Sequence, residues 1–298
     1  MHNVSFKTQT INSKIKNLVV GTGLVGGILG NVSAQTFTNL HSFAPVDGQF
    51  ASAGLIQSGS VLYGVTQLGG ANSKGSVFRM NLDGSGFTNL HSFTGTVDGS
   101  NPQANLTLSG GTLFGAAYRG GSANNGTIFS LQTNGTGFTN LHNFTSFEGA
   151  NPVGVLVVSG NMIFGTAYTG GTNNNGTIFS LGTDGSSFSN LHTYLAAANF
   201  IYNNGQQSVL TNQDGINPNG GMLLLGNTLY GTTGNGGVGG FGTVFAMQTN
   251  GSGYTNLHVF TTTTGNYSTN TDGANPSAGV LYLGGVFYGT TTSGGTGG

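Results

Sequence analysis

The chain has 298 residues, 57 of them glycine, no cysteine, and 13 of Lys, Arg, Asp and Glu combined. Its 20 Phe and 10 Tyr separate it from disordered chains, which are rich in charge and poor in aromatics, and a glycine-rich all-β fold with many tight turns fits instead. A net charge of −1 offers no footprint for nucleic acid or an anionic membrane, and the absence of cysteine excludes disulfides, thiolate nucleophiles and Cys-held metals.

In chain order, the first element is a targeting segment. Met1 to Asn17 carries Lys7, Lys14 and Lys16 and no acid; Leu18 to Leu29 is an apolar run of 12; Val32-Ser33-Ala34 follows with small residues where a signal peptidase cuts. The run is too short for a membrane span, which takes about 20 apolar residues. This spacing predicts a signal peptide over 1–34 and a mature domain over 35–298, secreted or on the cell surface, with no membrane insertion of the mature chain. Lys74, Arg79 and Arg119 then stand against seven acids, a mature net charge of −4.

The mature region is a tandem repeat. FTNLHSF begins at Phe37 and Phe87, FTNLHNF at Phe138, FSNLHTY at Phe188 and YTNLHVF at Tyr254, in steps of 50, 51, 50 and 66 residues. Between them recur LYG, LFG, IFG, LYG and FYG from Leu62, Leu113, Ile163, Leu229 and Phe287, then Gly-Gly pairs, then GSVF, GTIF, GTIF and GTVF from Gly75, Gly126, Gly176 and Gly242. A period near 50 points to propeller blades or arrays. Each unit contains four short runs rich in β-branched and aromatic residues, bounded by Gly, Asn, Asp and Ser, and no 3.6-residue apolar period. In the third copy VGVLVVS and MIFGTAY form one hairpin, GTIFSL and FSNLHTY a second. Simple alternation places Phe138, His142 and Phe144 on one face of the last strand and Leu141 on the other. Apolar groups on both faces favour a β-propeller of four-stranded antiparallel blades over the runner-up, a parallel β-helix. From Gln35 the order of strands is one outer strand, four full sets of four, and two more; the expected next Gly-Thr-Val-Phe strand does not follow, so the count predicts about five repeats, C-terminally truncated.

The L-x-x-S-G-x-x-L/I-Y/F-G hairpin, the Gly-Gly followed by Gly-Thr-Ile/Val-Phe, and the Asp-Gly-x-Asn-Pro link resemble the GloVer (Gloeo/Verruco) tandem-repeat family, from Thr36 to the end. The resemblance implies bacterial surface or secreted proteins of the choice-of-anchor kind, held by varied C-terminal sorting signals of the PEP-CTERM type. It implies no established activity and no catalytic residues.

Candidate chemistry reduces to framework. His41, His91, His142, His192 and His258 all occupy the Asn-Leu-His of the outermost strand, spread around a rim, whereas zinc needs three or four ligands about one point. Asp47, Asp98, Glu148, Asp214 and Asp272 share one position that opens a structured turn; calcium is the alternative there, and one carboxylate per loop is few for it. Asp83 and Asp184 fall in tight turns where other copies have Asn134 and Asn250. General acid–base chemistry needs unlike groups converging, and no such singular constellation is present, so no catalytic, cofactor or metal residue is assigned. Two insertions, around Leu195 to Gln213 and Thr261 to Thr271, bring Phe200, Tyr202 and Tyr267 as possible ligand contacts suited to stacking on sugars. The expected function is a non-catalytic scaffold or binding module for a glycan or protein partner. The alternative is a polysaccharide-active or quinone-dependent propeller enzyme whose site lies partly in the missing C-terminal portion.

Overall fold

The computed structural model describes residues 38–202, 207–263 and 269–296, with the backbone alone at 200–202, 207 and 208. The expected leader, residues 1–34, and Tyr267 lie outside the described residues. Every regular element there is a strand. The first sheet runs β1 (Ile56–Ser58), β2 (Val61–Thr66), β3 (Ser76–Asn81) and β4 (Thr88–Ser92). The second holds β5 (Ser100–Pro102), β6 (Thr107–Ser109), β7 (Thr112–Arg119), β8 (Thr127–Gln132) and β9 (Thr139–Asn143), and the third β10 (Ala150–Ser159), β11 (Met162–Thr169), β12 (Thr177–Gly182) and β13 (Ser189–Thr193). A separate hairpin, β14 (Ala198–Tyr202) and β15 (Gln207–Thr211), precedes the fourth sheet of β16 (Ile216–Pro218), β17 (Leu223–Leu225), β18 (Thr228–Asn235), β19 (Thr243–Gln248) and β20 (Thr255–Val259). The fifth unit closes the described chain with β21 (Ala274–Pro276), β22 (Leu281–Leu283), β23 (Val286–Tyr288) and β24 (Thr291–Ser293).

All strand pairs are antiparallel, and each sheet is a simple meander, as propeller blades are. This excludes the parallel β-helix. Two details depart from the repeat pattern as read. First, the Asp-Gly-x-Asn-Pro link is only half a turn. Its last three residues are strand, pairing with the far end of the second strand of the same unit: Ser100↔Arg119 and Pro102↔Ala117, Ala150↔Thr169 and Pro152↔Ala167. The innermost strand is therefore longer than the hairpin motif alone implied, and in the second and fourth units it is broken in the middle.

Second, alternation fails in the outermost strand. Ile128 lies opposite His142, but Phe129 lies opposite Asn140, so Leu141 is an extra residue in a β-bulge, and the same shift recurs at Val77/Phe78, Ile178/Phe179 and Val244/Phe245. A bulge breaks the period of two. Phe138 consequently packs backwards, against the core shared with the first blade, while Leu141 and Phe144 pack forwards towards the third. The one-face grouping of Phe138, His142 and Phe144 opposite Leu141 is thus corrected.

The cores sit between blades, not within them. In β7, Leu113 and Ala117 join Tyr63, Val65 and Val77 of the first blade, whereas Phe114 and Ala116 join Ile163 and Phe179 of the third. Phe164 and Ile178 of the third blade meet Leu229 and Phe245 of the fourth. Burying each Val, Leu, Ile or Phe among them contributes roughly 1.5–3 kcal/mol, and both faces of the interior blades take part. Residues 38–43 form no strand but hold the same place relative to the first blade. His41 stacks on Phe87 with ring centres 3.9 Å apart, and Phe43 meets Phe78 edge-on at 5.2 Å.

Blade spacing also depends on the glycine that opens each Gly-Ser/Thr-Val/Ile-Phe strand. Gly176 has φ of +98°, and a Cβ there would lie 2.6 Å from Cδ of Pro218 in the next blade and 2.6 Å from Ala167 O in its own. Gly160, in the tight turn between β10 and β11, has φ of +57° and open space around it. Gly176→Ala is expected to cost roughly 2–4 kcal/mol, backbone strain plus the clashes with Pro218 and Ala167 O, and Gly160→Ala about 1 kcal/mol from strain alone. Urea unfolding of the two variants measures the difference; equal losses would show that contact with Pro218 does not set the spacing.

Candidate functional site

The five histidines and five acids form five separate pairs. Nε2 of His91 lies 3.0 Å from Asp98, His192 2.9 Å from Asp214 and His258 3.0 Å from Asp272; His142–Glu148 and His41–Asp47 are longer, at 3.4 and 3.5 Å. No two histidines share an acid. Four of the five imidazoles also lie flat on the first aromatic of the next outer strand: His41 on Phe87 at 3.9 Å, His91 on Phe138 at 3.6 Å, His142 on Phe188 at 4.0 Å and His192 on Tyr254 at 4.0 Å. The acids are further engaged by their own loops. Thr145 N–H and its hydroxyl donate to Glu148 at 2.9 and 2.8 Å, and Leu195 N–H donates to Asp214 at 3.2 Å. The carbonyl just before each of the first four acids is gripped from the other side by the Asn of the following Asn-Leu-His. Asn89 donates to Val46 O at 3.1 Å and Asn256 to Gln213 O at 2.7 Å.

These groups are loop fasteners. The sequence already pointed to a structural role for them; the acid partner and the stacking ring show what that role is. Among the described residues no three of His, Cys, Asp or Glu come close enough to hold a metal ion. Asp83 and Asp184 accept from the backbone N–H and hydroxyl of Ser85 and Ser186, which holds both carboxyls below their usual range. Burial holds His91 and His142 below the usual imidazole range, against the opposing pull of Asp98 and Glu148. Between the third and fourth blades Tyr194 and Tyr254 stand where other units have Phe; burial raises both phenols, and Tyr254 donates to Asp214 O at 2.6 Å.

The Asn of each Asn-Pro is a second fastener. Asn101, Asn151, Asn217 and Asn275 all have φ between +54° and +58°. Each amide donates to a carbonyl at the end of the preceding unit's second strand: Gln67 O at 3.1 Å, Tyr118 O at 3.0 Å, Tyr168 O at 2.9 Å and Gly234 O at 2.9 Å. Left-handed backbone suits Asn better than most residues. The hooks hold the residue after each proline at the blade axis. There Gly220 is so close to the fifth unit that a Cβ would lie 2.6 Å from the carbonyl carbon of Ala278.

At this axis Gln103, Val153, Asn219 and Ser277, the same position in four successive units, line one open cavity of about 450 Å³ together with Ala104, Gly154, Tyr118 and Tyr168. Four units meeting at one cavity turn about a common axis. None of the lining residues is charged at neutral pH; Arg119, exposed, lies with its guanidinium carbon 5.8 Å from the centre of the Tyr118 ring. Oδ1 of Asn219 is buried without a hydrogen-bond partner. The cavity escaped the sequence reading because its members lie one per repeat. The available signal was the variation at the residue after Asn-Pro, inside an otherwise constant motif.

The insertions differ. That between β13 and β16 is the β14–β15 hairpin, not an irregular loop, with Phe200 opposite Val209 and Tyr202 opposite Gln207 in the backbone pairing. Val209 packs on the core around Phe241 and Phe260. The side chains of Phe200 and Tyr202, like Tyr267, lie outside what is described.

Asn151→Gly keeps the left-handed backbone and loses the hook together with the bond its Oδ1 accepts from the Thr169 hydroxyl, an expected cost of about 1–2 kcal/mol; Asn151→Ala adds strain, for roughly 2–4 kcal/mol in all. Chemical denaturation distinguishes them, and equal costs would remove the backbone from the account. The pH dependence has a fixed sign. The imidazoles of His91 and His142 bind protons less readily folded than unfolded, so below the ordinary value of 6.5 the unfolded chain takes up more protons. Stability is expected to fall between about pH 7.5 and 5.5, and His91→Gln with His142→Gln to flatten that fall. A rise towards acid pH would contradict it.

The similarities to known proteins follow the architecture. No curated protein matches the chain. Among solved structures it is similar to a nidogen/laminin complex (17% identity, TM-score 0.48, 78% of this chain and 68% of that one). It is also similar to a putative TolB from Agrobacterium tumefaciens (14%, 0.42, 67% and 61%) and a gluconolactonase from Xanthomonas campestris (13%, 0.43, 74% and 62%). At these values they carry no functional inference. The Gloeobacter/Verrucomicrobia repeat model matches residues 25–209, more than half of the sequence and three of the repeats described above. The chain belongs to the Gloeobacter/Verrucomicrobia repeat family.

Proposed function

We propose that this chain is a non-catalytic secreted or cell-surface module that binds a glycan or protein partner. The carrying observation is that each of the five repeated imidazoles faces a carboxylate within its own blade junction, hydrogen-bonded at His91, His192 and His258 and at 3.4–3.5 Å at His142 and His41, and that these carboxylates also accept from their own loops. General acid–base catalysis needs a group free to exchange a proton with a substrate, and imidazoles that face a carboxylate, four of them also covered by a stacked ring, are poor candidates. The loops that join one blade to the next share a face with the central cavity. They also carry exposed apolar residues, Val97 at 68% and Phe147 at 77% exposure, just before the acid. An aromatic or aliphatic side chain held in the open on a rigid loop is a contact available to a partner. Export is supported by the basic, apolar and small-residue order of residues 1–34, and no helix among the described residues is long and apolar enough to cross a membrane.

The test is depletion of the chain from solution by insoluble and soluble polysaccharides, with sugar release assayed in the same tubes. Retention by at least one polymer with no soluble product is expected; released sugar would overturn the non-catalytic assignment. N-terminal sequencing after export from a bacterial host should begin at Gln35, and an unprocessed Met1 in the exported fraction would remove the leader from the proposal.

A further inference from the structure

We propose that the axial cavity lined by Gln103, Tyr118, Tyr168, Asn219 and Ser277 binds the end of a neutral carbohydrate chain. This deepens the binding-module function and rests on it. The lining supplies what such a ligand needs and little that another class would use. The amides of Gln103 and Asn219 and the hydroxyl of Ser277 both donate and accept, which suits hydroxyl groups that do the same. Tyr118 and Tyr168 add two aromatic rings with phenolic tips, apolar faces for the C–H side of a sugar ring beside polar groups for its hydroxyls. No lining side chain is charged, so a phosphate or carboxylate would depend on the exposed Arg119 alone, whose guanidinium carbon lies 5.8 Å from the centre of the Tyr118 ring, whereas a neutral chain needs no counter-charge. A volume of about 450 Å³ lies within the range of small-ligand sites.

One further feature separates this cavity from an incidental gap: its lining is pre-organised. Val153 and Asn219 each follow an Asn-Pro whose amide is hooked to the carbonyl of Tyr118 or Tyr168, so both tyrosines are fixed through their own backbone by the next blade. Holding groups in place before binding lowers the entropy cost of association.

The experiment is isothermal titration of the chain with maltohexaose, cellohexaose, xylohexaose and chitohexaose, with oligogalacturonate as the acidic comparison. Each is repeated on Tyr118→Ala/Tyr168→Ala, Tyr118→Phe/Tyr168→Phe and Phe200→Ala/Tyr202→Ala, all checked for folding by circular dichroism. Binding of a neutral probe that weakens at least tenfold in the double alanine variant, survives in the double phenylalanine variant and is indifferent to the hairpin variant is expected. Unchanged affinity in the alanine variant, tighter binding of oligogalacturonate, or no binding of any probe overturns the cavity's role. If affinity falls only in the hairpin variant, the binding module stands and its site is elsewhere. If no polymer retains the chain in the depletion assay either, glycan recognition falls with the cavity. Should the alanine variant misfold, Ser277→Arg, which narrows the mouth without removing a ring, takes its place with the same expected loss.

Discussion

The interior four-stranded sheets of this chain are apolar on both faces, and that constraint governs everything else. A sheet of this kind cannot bury itself; it needs a neighbour on either side, so stability resides in the junctions. The positions of Leu113 and Phe114 make the point: adjacent residues of one strand serve two different cores, one shared with the first blade and one with the third. Because the junction is the unit of stability, the residues that recur most faithfully are those that build junctions. The bulge at Leu141 is one of these devices. By breaking the alternation it lets the start of the outer strand pack on the blade behind and its end pack on the blade ahead.

The loops between blades are held by the same economy. An Asn-Leu-His strand contributes its Asn to the loop before it and its His to the acid in the loop after it, while the next aromatic covers the imidazole. With Lys74, Arg79 and Arg119 the basic residues of the repeat region, long-range charge pairing is scarce, and the few ionisable groups are placed where one carboxylate can organise both a backbone turn and a ring. The apparent richness of histidine and acid is therefore a consequence of repetition. Five pairs arise from one motif written five times.

Much of this was legible in the sequence because local chemistry and periodicity agreed. The Gly-bounded apolar runs gave the strands and the near-50-residue step gave the blade. The single shared position of Asp47, Asp98, Glu148, Asp214 and Asp272 marked the acids as framework. What escaped were features that depend on register. A bulge adds one residue to one strand, which no reading of a single strand detects, so Phe138 was placed on the wrong face. The strand character of Asn-Pro was hidden by proline, which usually signals a turn. Here Pro102 and Pro152 sit in the innermost strand, whose inner edge has no further strand to bond, so the missing N–H costs nothing. The axial cavity was invisible for a third reason: its lining comes from residues about 50 apart, brought together only by the curvature of the array.

That curvature also says where such a protein can change without coming apart. Residues that fasten a junction are constrained by two blades at once, and a substitution there is felt in both cores. The position after each proline is different. It is held in place by the hook before it, yet Gln103, Val153, Asn219 and Ser277 differ in size and polarity, because they face the axis and not a core. A site assembled from such positions takes its rigidity from the repeat and its chemistry from the departures from it. This is how a chain made of near-identical units can present one asymmetric surface: symmetry fixes the backbone, and the side chains that the framework leaves unclaimed distinguish one direction around the axis from another.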